Sequence, residues 1–241
     1  MSELLRVEGL TKRYGGVTAN DGISFDVRKG EILGVIGPNG AGKSTLFDLI
    51  TGFQKADAGT VILDGQDITG LRPDRIARMG VGRTFQKLKP FPDLTLLENV
   101  MVGALSRTAN VHEARDMALE AIAFVDLLHK RYSFARELST GQRKRLEMAR
   151  AVASGPRLLL MDEVTGGVDQ KTIPGLIDLV LALRERGITV LTIEHNMQVM
   201  MKVSDRILAL QFGKRIAFGK PDKVRKNPHV VDAYLGTADV A

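Results

Sequence analysis

Cysteine and tryptophan are both absent from this chain of 241 residues. Without a thiol there can be no disulfide, no thiolate metal site and no cysteine nucleophile, which fits a reducing compartment. Aromatic residues are scarce at 5%, too few for the stacking platforms that hold single-stranded nucleic acid. No apolar run approaches the ~20 residues that cross a bilayer. The best runs, 157–161 and 176–183, have the length of core elements. The stretch Met1 to Gly16 has no basic region followed by an apolar segment, so no signal peptide is expected. A soluble or peripheral protein is the expectation, with any membrane crossing left to other chains.

What is present is globular. Hydrophobic residues make up 44% and charged residues 26%, a balance that argues against disorder. At ~150 residues per domain the length suggests one large domain or a core with a lobe. Basic residues exceed acidic ones, 34 to 28, for a net charge of +6. That excess suits a polyphosphate ligand, an anionic membrane face or nucleic acid. The densest cluster, Lys214, Arg215, Lys220, Lys223, Arg225 and Lys226, has no interleaved aromatics, which disfavours nucleic acid.

Local patterning predicts alternating strands and helices. Leu4 to Val7 and Ile23 to Val27 read as short strands. Residues 31–36 form a nearly continuous apolar run, as in a strand buried on both faces. A glycine-rich turn follows, then a helix over Ser44 to Thr51 and a strand over Gly59 to Leu63. From about Lys87 to Ala153, Met117, Ala121, Phe124, Val125 and Leu128 recur at helical spacing. Strands return at Leu158 to Met161, Thr189 to Ile193 and Ile207 to Gln211. A helix from Pro174 to Arg186 is closed by Gly187. The predicted class is α/β: a mixed, mostly parallel sheet with helices on both faces and an N-terminal antiparallel β part. Residues 1–86 and 156–241 are expected to form the core, with 87–155 an inserted α-helical subdomain.

The strongest motif is GPNGAGKST, Gly37 to Thr45. It satisfies the phosphate-loop pattern and lies between a predicted strand and a predicted helix, the context that pattern requires. Gly37, Gly40 and Gly42 let the backbone aim its N–H groups inward, and Pro38, Asn39 and Ala41 complete the nest. Lys43 adds a charge between phosphates, Ser44 offers a hydroxyl to Mg²⁺, and Thr45 can reach the α-phosphate. The loop alone does not separate kinase, GTPase, motor and transporter ATPase. No N-K-x-D segment is present for guanine, so adenine is the default. Leu158 to Glu163 reads as a buried strand ending in two carboxylates, and ligands gather at such strand ends. Asp162 is expected to face Mg²⁺ and Glu163 to polarise the attacking water. In LSTGQ, Ser139 looks like a helix N-cap. Ser139 and the Gly141 amide could present that helix start to a phosphate on a second molecule placed head to tail.

Together these segments resemble the nucleotide-binding subunits of ABC transporters over nearly the whole chain. GPNGAGKS is similar to the Walker A loop, LLLMDE to the Walker B strand and LSTGQ, with Gln142, to the family signature. The resemblance implies ATP and Mg²⁺ as cofactors and further roles. Tyr14 stacks on adenine with Val17 beside it. Gln86 in RTFQ touches Mg²⁺ or water. His195 in TIEHN touches the γ-phosphate, and Asp169 in TGGVD is the D-loop aspartate. Thr140 stands where the signature often has Gly. Val164 replaces the usual Pro and Gly166-Gly167-Val168 a more typical Ala-Gly-Leu stretch, changes expected to loosen the D-loop. GRTFQ, the LTLLENVMVGAL stretch, IEHNMQVMMKVSDRI and NPHVVDAYLG resemble the high-affinity branched-chain amino-acid importer ATPases. Urea/amide and lipopolysaccharide transporter ATPases share much of the pattern. Soluble ABC-type ATPases are a rival, and a regulatory module without turnover is another. Implied partners are a second nucleotide-binding subunit, identical or paralogous, and transmembrane permease subunits, with a solute-binding protein reached only indirectly and no nucleic acid. The implied place is the cytoplasmic face of the membrane. The stretch Lys87 to Glu98 is expected to receive the membrane subunits, with Leu88, Phe91, Leu94 and Leu96 forming either an apolar groove or a local core.

Overall fold

The computed structural model describes residues 2–85 and 90–235. The chain opens with a long hairpin, β1 (Glu3–Tyr14) and β2 (Val17–Arg28), turned at Gly15 with φ 56°. Both strands run well beyond the short stretches legible in the sequence, because polar residues outside the apolar positions still pair across the hairpin up to Tyr14 and Val17. Next come β3 (Ile32–Ile36), α1 (Lys43–Ile50), β4 (Ala58–Leu63), β5 (Gln66–Asp67), α2 (Pro73–Arg78) and β6 (Val81–Arg83). Three longer helices follow, α3 (Leu96–Ala104), α4 (Val111–Phe124) and α5 (Thr140–Ala153). The chain then forms β7 (Leu158–Asp162), α6 (Ile173–Glu185), β8 (Thr189–Ile193), α7 (Met197–Val203), β9 (Arg206–Gln211), β10 (Lys214–Gly219), α8 (Pro221–Arg225) and α9 (Pro228–Leu235).

Two sheets result. A four-stranded antiparallel sheet has the order β2-β1-β4-β5. A six-stranded sheet has the order β10-β9-β3-β8-β7-β6, parallel throughout except for β10. The parallel strands β3, β7 and β8 are buried at every position, as expected of strands covered on both faces. On one face Leu33, Val35, Leu160, Leu191 and Leu208 pack with α1 and the antiparallel sheet. On the other, Leu159, Met161 and Val190 share a core with α6 and with α3, α4 and α5. A smaller core joins Ile36, Ile207 and Ala209 to α7, α8 and α9. Gly34 permits the close approach of α7: a Cβ there would lie 2.1 Å from Met200 Sδ.

Local signals position the helices. Thr95 and Glu98 form a capping box at α3, and Ser139 and Gln142 form another at α5, each satisfying two otherwise orphaned donors. The buried Asn99 amide donates to the carbonyls of Phe91, Leu94 and Thr95 at 3.0, 3.2 and 2.9 Å, fixing the segment before α3. Arg145 of α5 reaches Val125 O at 2.8 Å, and Lys144 reaches Glu163 O at 2.5 Å. The helical block is therefore bonded directly to the end of β7. The elements not legible in the sequence, β6, β10, α2 and α7 to α9, are short, and brief segments offer too few periods to register.

Candidate nucleotide-binding site

The glycine-rich loop lies between β3 and α1, as its motif requires. Gly42 has φ 95°, and a Cβ there would lie 2.1 Å from Ala19 O, so no larger residue fits where β2 presses on the loop. The buried Asn20 amide donates to Gly42 O at 3.2 Å. Lys43 starts α1 but folds its side chain back, donating to Gly37 O at 2.7 Å and Pro38 O at 2.9 Å. Burial pushes the Lys43 ammonium below its ordinary range, and the nearby Asp162 and Glu163 oppose that shift.

A cavity of about 600 Å³ opens over this loop, within the ~300–1,000 Å³ typical of small-molecule sites. Residues 39–45 line it, together with Asp162, Glu163, His195, Tyr14 and Val17. Asp162 ends β7 at 5% exposure. Burial, and then the neighbouring Glu163, pushes its carboxyl above the usual range against Arg83, Lys43 and His195. Glu163 follows at φ 52°, a left-handed conformation that costs a non-glycine residue ~1–3 kcal/mol and concentrates at functional sites. His195 Nε2 sits 2.9 Å from Glu163 Oε1. The structure thus brings both carboxylates and the histidine into one cavity with the phosphate nest.

Tyr14 and Val17, also in its lining, pair at the tip of the β1–β2 hairpin, and Lys12 Nζ lies 5.4 Å from the Tyr14 ring centroid. Phe212, in the turn between β9 and β10, lines the same cavity at 81% exposure and φ 49°. Thr18 and Ala19 also line it. Sequence reasoning missed these three, and only the Phe-Gly turn at 212–213 marked the place. Gly37 and Pro38 support the loop from outside the cavity lining.

Ser139, Gly141 and Gln142 do not line the cavity. Ser139 and Thr140 are exposed, so the start of α5 is open to a partner. A Cβ on Gly141 would lie 2.7 Å from Thr172 Cγ2, which packs this turn against the segment after the acidic strand. That segment is not loose at its ends. Asp169 accepts from the Thr172 amide at 3.0 Å and hydroxyl at 2.9 Å. Thr165 donates to Glu194 from its amide at 2.9 Å and its hydroxyl at 2.8 Å. Both ends of this segment are thus tied down, while the intervening Gly166-Gly167 lies between the two anchor points. Gln86 and Leu88 lie outside the described residues.

This cleft belongs to a P-loop nucleotide-hydrolysing domain of the ATP-binding cassette type. Residues 20–166 match the ABC transporter family model, and residues 214–240 match the branched-chain amino acid ATP-binding cassette transporter model. The chain is 39% identical to the high-affinity branched-chain amino acid transport ATP-binding protein BraF of Pseudomonas aeruginosa, covering 98% of each. It is 38% identical to the corresponding protein LivG of Escherichia coli, again covering 98% of each. Among solved structures, an ATP-binding cassette of an ABC transporter in its ADP conformation superimposes with a TM-score of 0.90 at 35% identity, covering 98% of this chain and 100% of that one. A dimeric post-hydrolysis cassette bound to ADP and Pi gives 0.81 at 28% identity, covering 90% and 99%. The chain belongs to the ABC transporter ATP-binding family, in its branched-chain amino acid branch. It is an α/β ATPase of that class and binds adenine nucleotide.

Proposed function

We propose that this chain powers an importer for branched-chain amino acids, hydrolysing ATP beside separate membrane subunits at the cytoplasmic face. One observation carries the reading: a single cleft joins a phosphate nest to the Glu163–His195 pair, while the Ser139 turn faces outward. In this reading the loop amides of residues 39–45 cradle the phosphates, and Lys43 turns its ammonium from the Gly37 and Pro38 carbonyls to the β- and γ-phosphates. Tyr14 and Val17 hold the base. Glu163 accepts a hydrogen bond from the attacking water and aligns it with the γ-phosphorus, and His195 donates to a γ-phosphate oxygen. The P–O bond to ADP breaks as the water oxygen bonds to phosphorus, giving ADP and inorganic phosphate.

Ser44 and Asp162, with Gln86, would hold Mg²⁺ through their oxygens. The raised Asp162 carboxyl fits this role, since a buried acid beside a second acid is relieved by a cation. That ion would supply positive charge against the phosphate groups.

The outward Ser139 turn supports a head-to-tail pair, identical or paralogous, in which Ser139, Gly141 and Gln142 of one copy meet the nucleotide of the other and Asp169 crosses the seam. Residues 87–155 act as the lobe that passes closure to the membrane subunits. A groove of about 570 Å³ lined by Phe85, Phe91, Val102 and Arg150 supports docking there. Leu96 is fully buried and takes no part in that groove, whereas Phe91 is exposed. Among the described residues no helix is long and apolar enough to cross a membrane.

Two measurements test this. Glu163→Gln should slow phosphate release roughly 10²–10⁴-fold, the usual worth of a positioned acid–base group, with nucleotide binding intact. Turnover at the wild-type rate removes Glu163 from its role. Proteoliposomes holding the chain with its permease and solute-binding protein should accumulate leucine. Accumulation of urea instead, or absence of ATP-driven transport, favours the amide importers or a soluble ATPase.

A further inference from the structure

The C-terminal helix reaches the phosphate loop from behind. Tyr234 of α9 accepts a hydrogen bond from the Gly37 amide at 3.0 Å. Gly37 is the first residue of the loop, with φ 151°, and a Cβ there would lie 2.2 Å from Leu210 O. The loop root is therefore wedged between β9 and α9. Gly37 does not line the nucleotide cavity, so its amide is spent on the tyrosine and not on phosphate. A backbone N–H at such a turn has no helix or strand partner of its own, and burial makes an unpaired one costly.

Tyr234 lies against a small core. Val230 and Tyr234 of α9 pack with Ile36, at the end of β3, and with Met197, Met200 and Met201 of α7. That last helix begins directly after His195 and is capped by the Asn196 side chain. One apolar cluster thus touches the strand that leads into the phosphate loop, the helix that follows the histidine, and the tail that matches the branched-chain cassette model.

We propose that Tyr234 is a positioning residue for nucleotide binding: its hydroxyl fixes the root of the phosphate loop, so nucleotide affinity depends on this one hydrogen bond to Gly37 rather than on the overall stability of α9. The residue touches no phosphate and acts through Gly37. Directional amide donors bind an anion well only when they are already aimed, and a root free to rotate must be ordered again at each binding event. The inference rests on the reading that residues 39–45 hold the phosphates.

The test is titration of the full-length chain with MgADP, which avoids turnover. Tyr234→Phe removes only the hydroxyl and should raise Kd roughly three- to tenfold, the span of one net neutral hydrogen bond. Exchange of the Gly37 amide with solvent should accelerate in the same variant. Val230→Ala keeps the hydroxyl while loosening the packing, and should lower Tm with Kd unchanged. Wild-type Kd in Tyr234→Phe overturns the proposal. So does an equal rise in Val230→Ala, which makes affinity a mere reflection of tail stability. If the wild-type chain itself fails to bind MgADP, it is the nucleotide-site reading that falls.

Discussion

The tether between Thr165 and Glu194 can be measured directly. Thr165 follows the acidic strand end and Glu194 precedes the histidine, so the bond joins the two segments that carry Glu163 and His195. Thr165 is 8% and Glu194 4% exposed, so water cannot replace what is lost. Thr165→Val keeps the shape but removes one of two donors to an ionisable acceptor, a loss of ~1.5–3 kcal/mol. For a chain of this size that corresponds to a fall in Tm of ~3–12 °C. Glu194→Gln keeps one acceptor for the Thr165 amide and should cost less. Because both changes strike one interaction, T165V/E194Q should cost clearly less than the sum of the singles. Additivity within ~0.3–0.5 kcal/mol in urea unfolding refutes the tether. The pH dependence gives a second arm. Burial pushes the Glu194 carboxyl above its ordinary value of 4.5, against the Thr165 bonds and Lys144. The folded chain therefore holds this proton more tightly than the unfolded chain does. The associated stability is fully present below 4.5 and is lost as pH rises through the raised value. Glu194→Gln should accordingly be most costly in acid and least costly at neutral pH, and the reverse trend contradicts the assignment.

Three further outcomes follow from the same geometry. Asp162→Asn should raise the Tm of the nucleotide-free chain at neutral pH while abolishing Mg²⁺-dependent turnover, since the folded state disfavours the ionised carboxyl; a lower Tm counts against this. Gly103→Ala should destabilise by ~1–3 kcal/mol or more, because a Cβ on α3 would lie 2.2 Å from Arg150 O of α5; urea midpoints equal to wild type contradict the packing. Ser139→Arg should leave nucleotide binding by the single chain intact yet prevent ATP-dependent pairing in gel filtration, and pairing at the wild-type level refutes the head-to-tail arrangement.

The site was legible in the sequence wherever chemistry demands particular residues in a row. The phosphate loop needs glycines, a lysine and a hydroxyl at set spacing, and the acidic strand end needs an apolar run before its carboxylates. Both appear in the structure where the pattern placed them. The parallel strands β3, β7 and β8 were legible for a related reason, since burial on both faces leaves continuous apolar runs. The long hairpin was only partly legible, because its outer half is polar and held by pairing. What escaped entirely depends on contacts far apart in sequence. Asn20 meets the Gly42 carbonyl across 22 positions, Thr165 meets Glu194 across 29, and Tyr234 meets Gly37 across 197. Nothing local in an Asn on a strand, or in a Tyr near the end of the chain, announces such a partner. Phe212 was missed for a different reason: exposed aromatics in turns are common, and only the cavity gives this one meaning.

The charge layout of the cleft explains why the family's chemistry sits on these residues and not on an equally polar surface. Asp162 and Lys43 are displaced in opposite directions, the acid upward and the base downward, and burial is the first cause of both. Each is therefore held where burial disfavours its charged form, and the neighbouring charges only partly offset that cost. Lys43 meets its need partly through two backbone carbonyls, and Glu163 pairs with His195 from a strained backbone. In the proposed function, a magnesium-bound triphosphate would bring an anion to the lysine and a cation to the aspartate together. Binding then relieves desolvation that the free chain already bears, and less reorganisation is needed when charge spreads over the γ-phosphate. The same layout makes the cleft a weak point of the fold, as stability–activity trade-offs predict. Neutralising Asp162 should therefore stabilise the free chain and remove its use in the same step.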